Sequence, residues 1–543
     1  MHTLETVIRN RISTGLKRHA ITRPSQWSEQ YRVMGQPFPG NYSFKHHPWT
    51  REMHDCTSPL MIGKKAAQVG YTEVALNKAF YTIDIKAQSV LYVLPNTHPD
   101  AGDFSSSRFD VALDLSPHLE NMFSDTKNVG HKRAGTANLY IRGSKSRAQL
   151  KSIAVSLIIA DELEEMNQDN INLLPERMAG QFDKQQFYLS TPIVKNMGID
   201  AFYNSTTMEH YFFKCPKCSK LTELTFPECL VITAENHYDD SVYDSYLQCK
   251  ECHNRLEHEN KIDWVPGQWV AKYPGRINRG FHIPQLYSAT STPAEIAISY
   301  LKARDDPAAM QEFKNSKLGM THEEVDARVT KDMIKNCKGS YLQKSASKSG
   351  IVTIGVDVGK KLHYEIDEWF LKQSNIDVNE SATPKLLKEG EVDSFQDIAH
   401  LFQVFNCTYG VVDANPERRM AINLCNTFFG RFKRCFYTEV KKPITIDEED
   451  HAISVDRSYW MDQAFFRFKK KDIRLPQNLS NQYMYHLIQP VRIMKKDKDG
   501  NPKVRYLTAE GIPDHLAHAR VYSEIALFFA LRILSNRDTG KVL

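Results

Sequence analysis

The amino-acid sequence predicts an α/β protein with two separate lobes and a small cysteine-containing insertion. Three observations lead to this fold class. Short apolar runs alternate with helical segments between residues 46 and 200, two pairs of cysteines follow, and a second series of apolar strands begins after a polar linker. At 543 residues the chain is long for one domain and can bury at least two independent hydrophobic cores.

Changes in composition along the chain set the expected domain boundaries. The stretch KGSYLQKSASKSG is rich in Ser, Lys and Gly, as a linker between two lobes would be. The predicted order is an N-terminal appendage at 1–45, a first α/β core at 46–205, a cysteine-containing insertion at 206–280, helices that complete the first lobe at 281–337, the linker at 338–350, a second α/β lobe at 351–530 and a C-terminal tail at 531–543.

The overall composition excludes some classes of protein. Ten cysteines in a chain of this length are too dilute for a disulfide framework, no run of eighteen apolar residues occurs, and the N-terminus lacks the apolar segment of a secretory signal. We therefore expect a soluble, intracellular protein with no membrane partner. The net charge of +5 permits binding to a polyanion but is too small to predict it.

The segment KAAQVGYT resembles a phosphate-binding loop in which one position has changed. Such a loop needs a glycine that lets backbone N–H groups approach phosphate, a lysine, and a Ser or Thr hydroxyl for Mg²⁺ at the start of a helix. Gly70 and Thr72 fit, but Tyr71 stands where the lysine is expected. The flexible side chain of Lys65 can reach the phosphates from the other side of the loop, and Lys64 is the alternative.

An acidic pair follows an apolar strand and begins 96 residues after Lys65. The apolar run LIIA ends directly at Asp161 and Glu162. In an ATPase sheet, the first acid binds Mg²⁺ and the second activates the water that attacks the γ-phosphate. The loop and the acidic pair, in this order, predict an ATP site.

Two CxxC pairs predict a metal site. The pairs are separated by 30 residues, and four thiolates at this kind of spacing suit tetrahedral Zn²⁺. A closed site of four thiolates has no open position for substrate, so we expect the zinc to be structural. Cys229 or His253 could replace one ligand. The four expected ligands are Cys215, Cys218, Cys249 and Cys252.

Acidic and imidazole side chains in the second lobe predict a metal-dependent nuclease. Two-metal cleavage of a phosphodiester needs several such ligands from separate elements. Asp357 lies near the end of the strand IVTIGVDVG, and Asp413 ends the strand YGVVD. Asp514 and His518 stand four apart on a predicted helix and so share a face, whereas we expect His515 to point elsewhere.

A basic hairpin is a candidate DNA contact. The segment VRIMKKDKDGNPKVRYL predicts a β-hairpin whose basic side chains could straddle phosphates without reading bases. The competing interpretation is an exposed edge that basic residues protect from aggregation. The segment 466–471, FRFKKK, is a second and weaker candidate. The basic residues of the hairpin are Arg492, Lys495, Lys496, Lys498, Lys503 and Arg505.

The segments KAAQVGYTE, LIIADELEEM and FYLSTP occur in the order found in lambda-type phage terminase large subunits, and the chain resembles this family over most of its length. The phosphate loop of the family also carries its lysine early. The resemblance implies a RecA-like P-loop ATPase domain. It assigns Lys65 to phosphate, Thr72 and Asp161 to Mg²⁺, and Glu162 to catalysis, with Gly70 and Tyr71 in the nucleotide-binding loop.

The same resemblance implies roles for four other residues of the first lobe. Ser190 and Thr191 correspond to the motif that couples hydrolysis to movement. Trp49, in HPWTRE, corresponds to an aromatic residue that contacts adenine. Arg177, in LPERMAGQF, is a candidate for the arginine that stabilises charge during hydrolysis. Lambda-type terminases also carry an insertion with paired cysteines after the ATPase motifs.

For the second lobe, the resemblance implies an RNase H-like nuclease. Asp357 and Asp413 match the first two acids of that site. The sequence departs from the family at the third ligand. His518 stands where the family usually has an aspartate before the Arg-Val-Tyr segment. Either His518 is the ligand, or Asp514 supplies it from one turn earlier. The metal is expected to be Mg²⁺ or Mn²⁺.

The resemblance implies a function and a set of partners. A terminase large subunit uses ATP and Mg²⁺ to move viral double-stranded DNA into a procapsid, and it cuts concatemeric DNA. The implied partners are DNA, a small terminase subunit at the N-terminal appendage, a portal at the C-terminal tail, and copies of the same chain in a ring, all in the host cytoplasm.

Two other functions are compatible with part of the sequence. One is a helicase or restriction-type translocase with a fused nuclease, which would need motifs of a second RecA-like lobe where the cysteine insertion stands. The other is a zinc-containing DNA-binding protein in which Tyr71 has inactivated the ATP site. A measurement of ATP turnover discriminates between an active motor, which hydrolyses ATP, and the zinc-containing DNA-binding protein, which does not.

Overall fold

The chain divides into two compact units, Met1–His322 and Glu323–Leu543, in a computed structural model. This division confirms the prediction of two cores. None of the helices that the structure describes is both long enough and apolar enough to cross a membrane. The described residues are 21–123, 126–151, 153–304, 306–322, 327–344, 350–371, 382–438, 443–447, 450–496, 502–509 and 511–538.

A large mixed sheet forms the centre of the first unit. Among the described residues it contains eleven strands, in the order β11-β10-β16-β3-β9-β8-β4-β7-β6-β5, with β15 paired to β10. The strands from β10 to β7 in this order run parallel, and antiparallel pairs occur only towards the two edges. The strands of the unit are β1 (Val33–Met34), β2 (Gly40–Asn41), β3 (Leu60–Lys65), β4 (Val90–Leu94), β5 (Thr126–Asn128), β6 (His131–Ala134), β7 (Ala137–Gly143), β8 (Leu157–Asp161), β9 (Gln185–Ser190), β10 (Glu209–Lys214), β11 (Leu221–Thr222), β12 (Leu230–Val231), β13 (Tyr246–Gln248), β14 (Arg255–Leu256), β15 (Gly267–Ala271) and β16 (Arg279–Ile283).

Helices pack against this sheet and complete the core. Strand β8 is buried along its whole length, as expected of a central parallel strand covered on both faces. The helices are α1 (Pro24–Tyr31), α2 (Thr50–Asp55), α3 (Tyr71–Asp84), α4 (Gly102–Phe104), α5 (Val111–Leu115), α6 (Pro117–Met122), α7 (Gln168–Ile171), α8 (Gly198–Asn204), α9 (Lys261–Trp264), α10 (Pro293–Ala303) and α11 (Pro307–Leu318).

Two predicted boundaries in the first unit are wrong. Residues 21–45 do not form a detached appendage, because Trp27 on α1 is fully buried and its indole N–H donates to Asp84 at 2.8 Å. The rest of that segment, 1–20, lies outside the described residues. The insertion predicted at 206–280 is smaller than expected, since β10, β15 and β16 belong to the main sheet and only β12–β14 form a separate sheet of three strands.

The second unit contains a seven-stranded mixed sheet in its described part. The order is β19-β18-β17-β20-β21-β23-β22, and β17, β20, β21 and β23 run parallel. The strands are β17 (Ile351–Val358), β18 (Leu362–Leu371), β19 (Ala382–Val392), β20 (Tyr409–Asp413), β21 (Phe432–Thr438), β22 (Ile444–Asp447), β23 (Ala452–Asp456), and the hairpin strands β24 (Val491–Lys496) and β25 (Pro502–Leu507). The helices are α12 (Lys331–Asn336), α13 (Phe395–Val404), α14 (Arg418–Thr427), α15 (Arg457–Lys470), α16 (Asn481–Leu487) and α17 (His515–Asp538).

Helix α17 lies directly on β17 because Gly355 has no side chain. A Cβ atom at this position would collide with the carbonyl oxygen of Ala519 and the amide of Ser523. Fully buried charges also hold the helix: Arg520 donates to Glu365 at 2.8 Å and also contacts Asp367. These contacts fix the start of α17 relative to the strands that carry the acidic residues.

The boundary between the units lies earlier than predicted. Ile334 is fully buried in the core of the second unit, and the amide of Gly339 donates to Leu475 at 2.8 Å, so residues 327–344 pack on the second unit. The linker at 338–350 was predicted from polar composition alone. Composition does not reveal backbone hydrogen bonds such as that of Gly339, so this prediction placed the boundary too late. The predicted tail at 531–543 is also partly wrong, since α17 continues to Asp538; residues 539–543 lie outside the described part of the chain.

Candidate nucleotide, zinc and nuclease sites

The predicted phosphate loop connects β3 to α3. Gly70 has φ +84°, in the left-handed region that glycine tolerates, and α3 begins at the next residue. A Cβ atom on Gly70 would lie 3.1 Å from the ring of His47, so the loop also depends on the small size of this residue. The strand–loop–helix context expected of a nucleotide site is therefore present.

Lys65 points at the acidic pair, and Lys64 points away from it. The Nζ atom of Lys65 lies 2.9 Å from Oε1 of Glu162. Lys64 instead forms an ion pair of 2.5 Å with Asp200 on α8. Successive residues of a strand face opposite sides of the sheet, which explains the difference. Burial alone would lower the pKa of Lys65, but the carboxylates of Glu162 and Asp161 outweigh it and raise that pKa.

Asp161 lies at the end of β8, opposite the start of α3. Its Oδ2 atom accepts hydrogen bonds from Thr72 Oγ1 at 3.1 Å and from the hydroxyl of Tyr92 at 2.7 Å. The other oxygen, Oδ1, is buried and has no hydrogen-bond partner among the described residues. Burial and the neighbouring Glu162 raise the pKa of Asp161 to about 6. A hydroxyl beside an unpartnered carboxylate oxygen is a ligand set that suits Mg²⁺.

Glu162 leaves the strand in a left-handed conformation, with φ +63°. Its amide donates to the carbonyl of Leu189 on β9 at 3.0 Å, and its side chain is about half exposed. Ser190, the last residue of β9, accepts from the amide of Glu164 at 3.2 Å and lies 3.5 Å from the carboxylate of Glu162. Its hydroxyl also lies 3.4 Å from the carbonyl of Thr191. The predicted coupling segment therefore contacts the acidic pair.

The rings of Trp49, predicted to contact adenine, and of Tyr71, predicted to belong to the nucleotide-binding loop, both lie in the core. Trp49 is fully buried, and its indole N–H donates to the carbonyl of Val69 in the phosphate loop at 2.9 Å. Tyr71 is 1% exposed and packs under Gly63 of β3. Trp49 therefore presents no exposed face to adenine in this structure, and both rings support the loop from behind.

Arg177 stays a prediction. It lies in the short 3₁₀ helix Leu174–Met178 and is partly exposed, and its carbonyl accepts from the amide of Val155 at 3.1 Å. No contact joins its guanidinium to Glu162 within the described parts of the chain.

The four predicted zinc ligands converge. Their four sulfur atoms all lie within 4.8 Å of one another. Each CxxC pair forms a tight turn, in which Cys215 N donates to Lys220 O and Cys249 N donates to Asn254 O, both at 2.9 Å. Cys229 is fully buried and hydrogen-bonds within its own segment, and neither Cys229 nor His253 belongs to the group. The group consists of Cys215, Cys218, Cys249 and Cys252.

The two predicted nuclease acids lie on neighbouring parallel strands. Val356 on β17 is paired with Val412 on β20, so the next residues, Asp357 and Asp413, stand side by side on one face of the sheet. Burial, with a contribution from Asp357, raises the pKa of Asp413 to about 6. The nearby His518 has the opposite effect on that pKa.

Asp514 and His518 form a pair on the first turns of α17. His518 Nε2 lies 3.4 Å from Asp514 Oδ2, which also accepts from the hydroxyl of Thr508 at 2.6 Å. Burial opposes the charged form, but the hydrogen bonds from His518 and Thr508 prevail and lower the pKa of Asp514. The other nitrogen of His518 lies 3.3 Å from the hydroxyl of Tyr437. The predicted shared face is confirmed.

His515 does not point elsewhere, as we expected from helical spacing. Its Nδ1 atom lies 2.8 Å from Oδ2 of Asp357. Helix α17 begins at His515, so its side chain leaves the helix end towards β17 rather than following the face shared by later residues. His363, which sequence reasoning missed, faces Asp357 across the β17–β18 pair. Recognising β18 as the antiparallel partner of β17 would have revealed it.

The predicted basic hairpin exists, but its basic residues differ in environment. Arg492 forms an ion pair with Asp462 at 2.9 Å, which leaves less of its charge for DNA. The backbone register pairs Lys495 with Lys503 and Ile493 with Arg505. The turn that contains Lys498 lies outside the described residues, and the structure describes only the backbone of Lys495 and Lys496. In the weaker candidate segment, 466–471, Arg467 is not available to contact DNA, because it is 5% exposed and donates to Glu524.

Comparisons with known proteins agree with the two-lobed arrangement. The model of the phage terminase large subunit gpA ATPase domain matches residues 36–269, and the model of the gpA endonuclease domain matches residues 278–377. The terminase large subunit of Enterobacteria phage P21 is 24% identical over 343 residues, which cover 56% of this chain and 52% of that protein. That of Escherichia phage lambda is 21% identical and is covered to 53%. The chain thus aligns with about half the length of these curated relatives.

A solved structure extends the likeness in fold. The crystal structure of the HK97 bacteriophage large terminase superposes with a TM-score of 0.53 at 12% identity. The superposition covers 92% of this chain and 98% of that chain. At this identity the likeness shows a shared fold.

Proposed function

We propose, because the chain belongs to the lambda-type phage terminase large subunits, that it hydrolyses ATP to drive viral double-stranded DNA into a procapsid and that it cuts concatemeric DNA. The observation that carries the motor function is the approach of Lys65 to Glu162 across a strand–loop–helix turn. The first unit then serves as a RecA-like P-loop ATPase, and the second as an RNase H-like nuclease.

In the ATPase reaction, Lys65 contacts the β- and γ-phosphates and Glu162 orients and deprotonates the attacking water. Thr72 and Asp161 hold Mg²⁺, which neutralises charge on the phosphates when it is bound. The ion pair of Lys65 with Glu162 supports a simple exchange: when the lysine turns to phosphate, the carboxylate becomes available to water. Ser190 on β9, whose hydroxyl lies 3.5 Å from the carboxylate of Glu162, would transmit this change.

Four further roles belong to the proposal, and they rest on the sequence and the family resemblance rather than on contacts within this structure. Arg177 would stabilise charge in the site of a neighbouring subunit in a ring. Residues 1–45 would contact a small terminase subunit, and 531–543 a portal. The hairpin basic residues Lys503 and Arg505, together with Lys495 and Lys496, would follow the phosphates of DNA.

In the nuclease, Asp357, Asp413 and His518 hold a divalent ion, Mg²⁺ or Mn²⁺, which stabilises charge on the attacking and leaving oxygens when bound. Asp514 acts through His518 as a positioning residue. Its pairing with Thr508 and His518 supports this role, since metal-binding histidines commonly donate their second N–H to a carboxylate.

We also propose that the four cysteines hold one structural Zn²⁺. Their convergence within 4.8 Å supports this, as does the pair of amide hydrogen bonds from Lys217 to Cys215 and from Glu251 to Cys249, both at 3.4 Å. Such N–H groups stabilise thiolates. The ion would fix β12–β14 to the edge of the main sheet.

The proposal is tested by separating the two activities in the full chain. Glu162→Gln should abolish ATP turnover in the presence of DNA and procapsids and leave plasmid nicking intact. Asp357→Asn should do the reverse. If wild-type protein neither turns over ATP nor nicks DNA with Mn²⁺ or Mg²⁺ under these conditions, the proposed function is wrong.

A further inference from the structure

Arg457 stands at the edge of the second unit's sheet where the nuclease acids gather. It is the first residue of α15 and follows the last residue of β23 directly. Strands β17, β20, β21 and β23 run parallel, so their carboxyl ends meet at one edge. Asp357 and Asp413 lie at or next to the ends of two of these strands. The fold therefore brings a guanidinium to the acidic site.

The guanidinium of Arg457 contacts the candidate third ligand of the nuclease. Its Nη2 atom lies 3.5 Å from Nε2 of His518. Its central carbon lies 5.8 Å from the centre of the Tyr437 ring, and the hydroxyl of that tyrosine lies 3.3 Å from the other nitrogen of His518. Tyr437 and His518 thus hold the guanidinium beside the site.

The donors of this guanidinium are only partly used. The Nε atom of Arg457 is buried and has no hydrogen-bond partner among the described residues. Nε and Nη2 lie on the same edge of the planar group, and such an edge can bind two oxygens of a phosphate side by side. A buried N–H without a partner costs free energy, so this edge is suited to an acceptor that a substrate supplies.

The charge of Arg457 is not neutralised by an ion pair. Within the described parts of the chain, no carboxylate forms an ion pair with it. The buried arginines of the same unit behave differently. Arg467 donates to Glu524 at 2.8 Å. Arg520 donates to Glu365, also at 2.8 Å. Arg457 therefore keeps a positive charge that can attract a phosphate to a site otherwise lined by acids.

We propose that Arg457 binds a non-bridging oxygen of the scissile phosphate and stabilises the charge that develops there during cleavage. This inference rests on the proposed nuclease function. In the reaction, the oxygen of a water molecule bonds to phosphorus and loses one proton, while one ester bond from phosphorus breaks and its oxygen takes up a proton. Arg457 keeps its own proton throughout and acts by its charge and by its two parallel N–H groups.

A purely structural role for Arg457 would affect metal binding. If the guanidinium only holds the imidazole of His518 in place, its loss should weaken the binding of Mn²⁺. If it binds phosphate, the loss of a positive charge beside the ligands should leave the affinity for Mn²⁺ unchanged or raise it, because like charges repel. Electron paramagnetic resonance of Mn²⁺ bound to the full chain, without DNA or nucleotide, distinguishes the two roles.

Plasmid nicking by the full chain at saturating Mn²⁺ tests the role in catalysis. Arg457→Ala should nick about a hundredfold to a thousandfold more slowly than wild type, as expected for the loss of one charge-stabilising donor. Guanidinium ion, at concentrations that leave the protein folded, should restore part of that rate, whereas equal NaCl should not. Arg457→Lys keeps the charge but not the paired donors, so its rate should be intermediate.

Arg474→Ala is the matched control. Arg474 is an exposed arginine of the same unit, and its backbone pairs with Lys385 on β19. Lys385 is opposite Glu368, which is opposite Val352 at the far end of β17 from Asp357. Loss of this arginine should therefore change neither nicking nor the affinity for Mn²⁺, and guanidinium ion should not accelerate the variant.

Two results would overturn the proposal. One is nicking by Arg457→Ala at the wild-type rate. The other is slow nicking accompanied by weaker Mn²⁺ binding and no response to guanidinium ion. If the circular dichroism spectrum shows that Arg457→Ala does not fold, Arg457→Gln takes its place, since glutamine keeps a polar side chain but carries no charge. It should nick slowly with undiminished Mn²⁺ affinity, and a wild-type rate would refute the assignment.

The same measurements separate this inference from the nuclease function. If wild type nicks DNA and the Arg457→Ala and Arg457→Gln variants nick equally well, the nuclease function stands and the role of Arg457 does not. If wild type nicks DNA under none of these conditions, the nuclease function fails, and the inference that rests on it fails with it.

Discussion

The Nζ atom of Lys65 lies 2.9 Å from Oε1 of Glu162, although the lysine sits at the opposite end of the phosphate loop from its usual position. The lysine side chain is 9% exposed and the Glu162 side chain is 45% exposed, so the ion pair is open to water on the side of the carboxylate. A second anion that binds at this open side would compete with the carboxylate for the buried lysine. The γ-phosphate of ATP would be such an anion, and the proposed exchange would couple nucleotide binding to the release of the Glu162 carboxylate.

Lys65→Ala should reduce ATP turnover at least about a hundredfold, because the charge that meets the phosphates in the transition state is removed. Lys64→Ala is the matched control, since the two lysines are neighbours on β3 and only Lys65 faces the acidic pair. Turnover is measured well below the melting temperature, because Lys64→Ala leaves Asp200 buried without its partner and should lower stability by about 3 kcal/mol. Equal losses in the two variants would contradict the assignment.

The sequence predicted the arrangement of the candidate ATP site better than it predicted the residues packed around that site. Gly70, Thr72 and Asp161 could be found because a loop, a hydroxyl and a strand-terminal acid follow one another in a fixed order. The choice of Lys65 over Lys64 also follows from alternation along a strand, once the strand bounds are known. Trp49 could not be judged, because its burial depends on Tyr211 and Tyr287, which are far away in sequence.

Metal analysis of the purified full chain should find about one zinc per chain, as four thiolates bind one tetrahedral ion. Cys218→Ser should reduce the zinc content several-fold and lower the stability of the first unit, because the ion contributes folding free energy. Cys229→Ala, outside the converging group, should keep its zinc. A clean preparation with far less than one zinc per chain would rule out the four-thiolate site.

The third ligand of the nuclease should be His518. Substitution to Ala should bring plasmid nicking below detection at every Mn²⁺ concentration. Asp514→Asn should slow nicking about tenfold to a hundredfold, because it loosens the orientation of the imidazole without removing it. High Mn²⁺ should partly restore the Asp514→Asn rate, which a purely structural defect would not allow. The reverse ranking of the two variants would make Asp514 the ligand.

The nuclease site shows where reasoning from spacing fails. Asp357 and Asp413 could be predicted because they lie at or next to the last residue of apolar strands, and parallel strands bring their ends to one edge. His515 was misjudged because helical spacing describes residues inside a helix, whereas this histidine is the first residue of α17. His363 required the register of β17 with β18, which a single sequence does not specify.

Glu164 makes the stability of the first unit depend on pH. Burial raises its pKa to about 8, with a smaller contribution from Asp200, and its Oε1 accepts from the amide of Ile199 at 2.9 Å. The folded-state pKa lies above the unfolded value of 4.5, so this group stabilises the fold fully below about pH 4.5 and loses that contribution as pH rises through 8. The melting temperature of wild type should therefore fall between pH 6 and pH 9.

Glu164→Gln should remove most of that fall, because the amide stays neutral and its oxygen can still accept from Ile199. Each pKa unit corresponds to about 1.4 kcal/mol, so the effect should amount to several degrees in the melting temperature of the first unit. Glu165→Gln, the exposed neighbour, is the control and should melt with the wild-type pH dependence. If Glu164→Gln and wild type lose the same number of degrees between the two pH values, Glu164 is ionised in the folded protein at neutral pH.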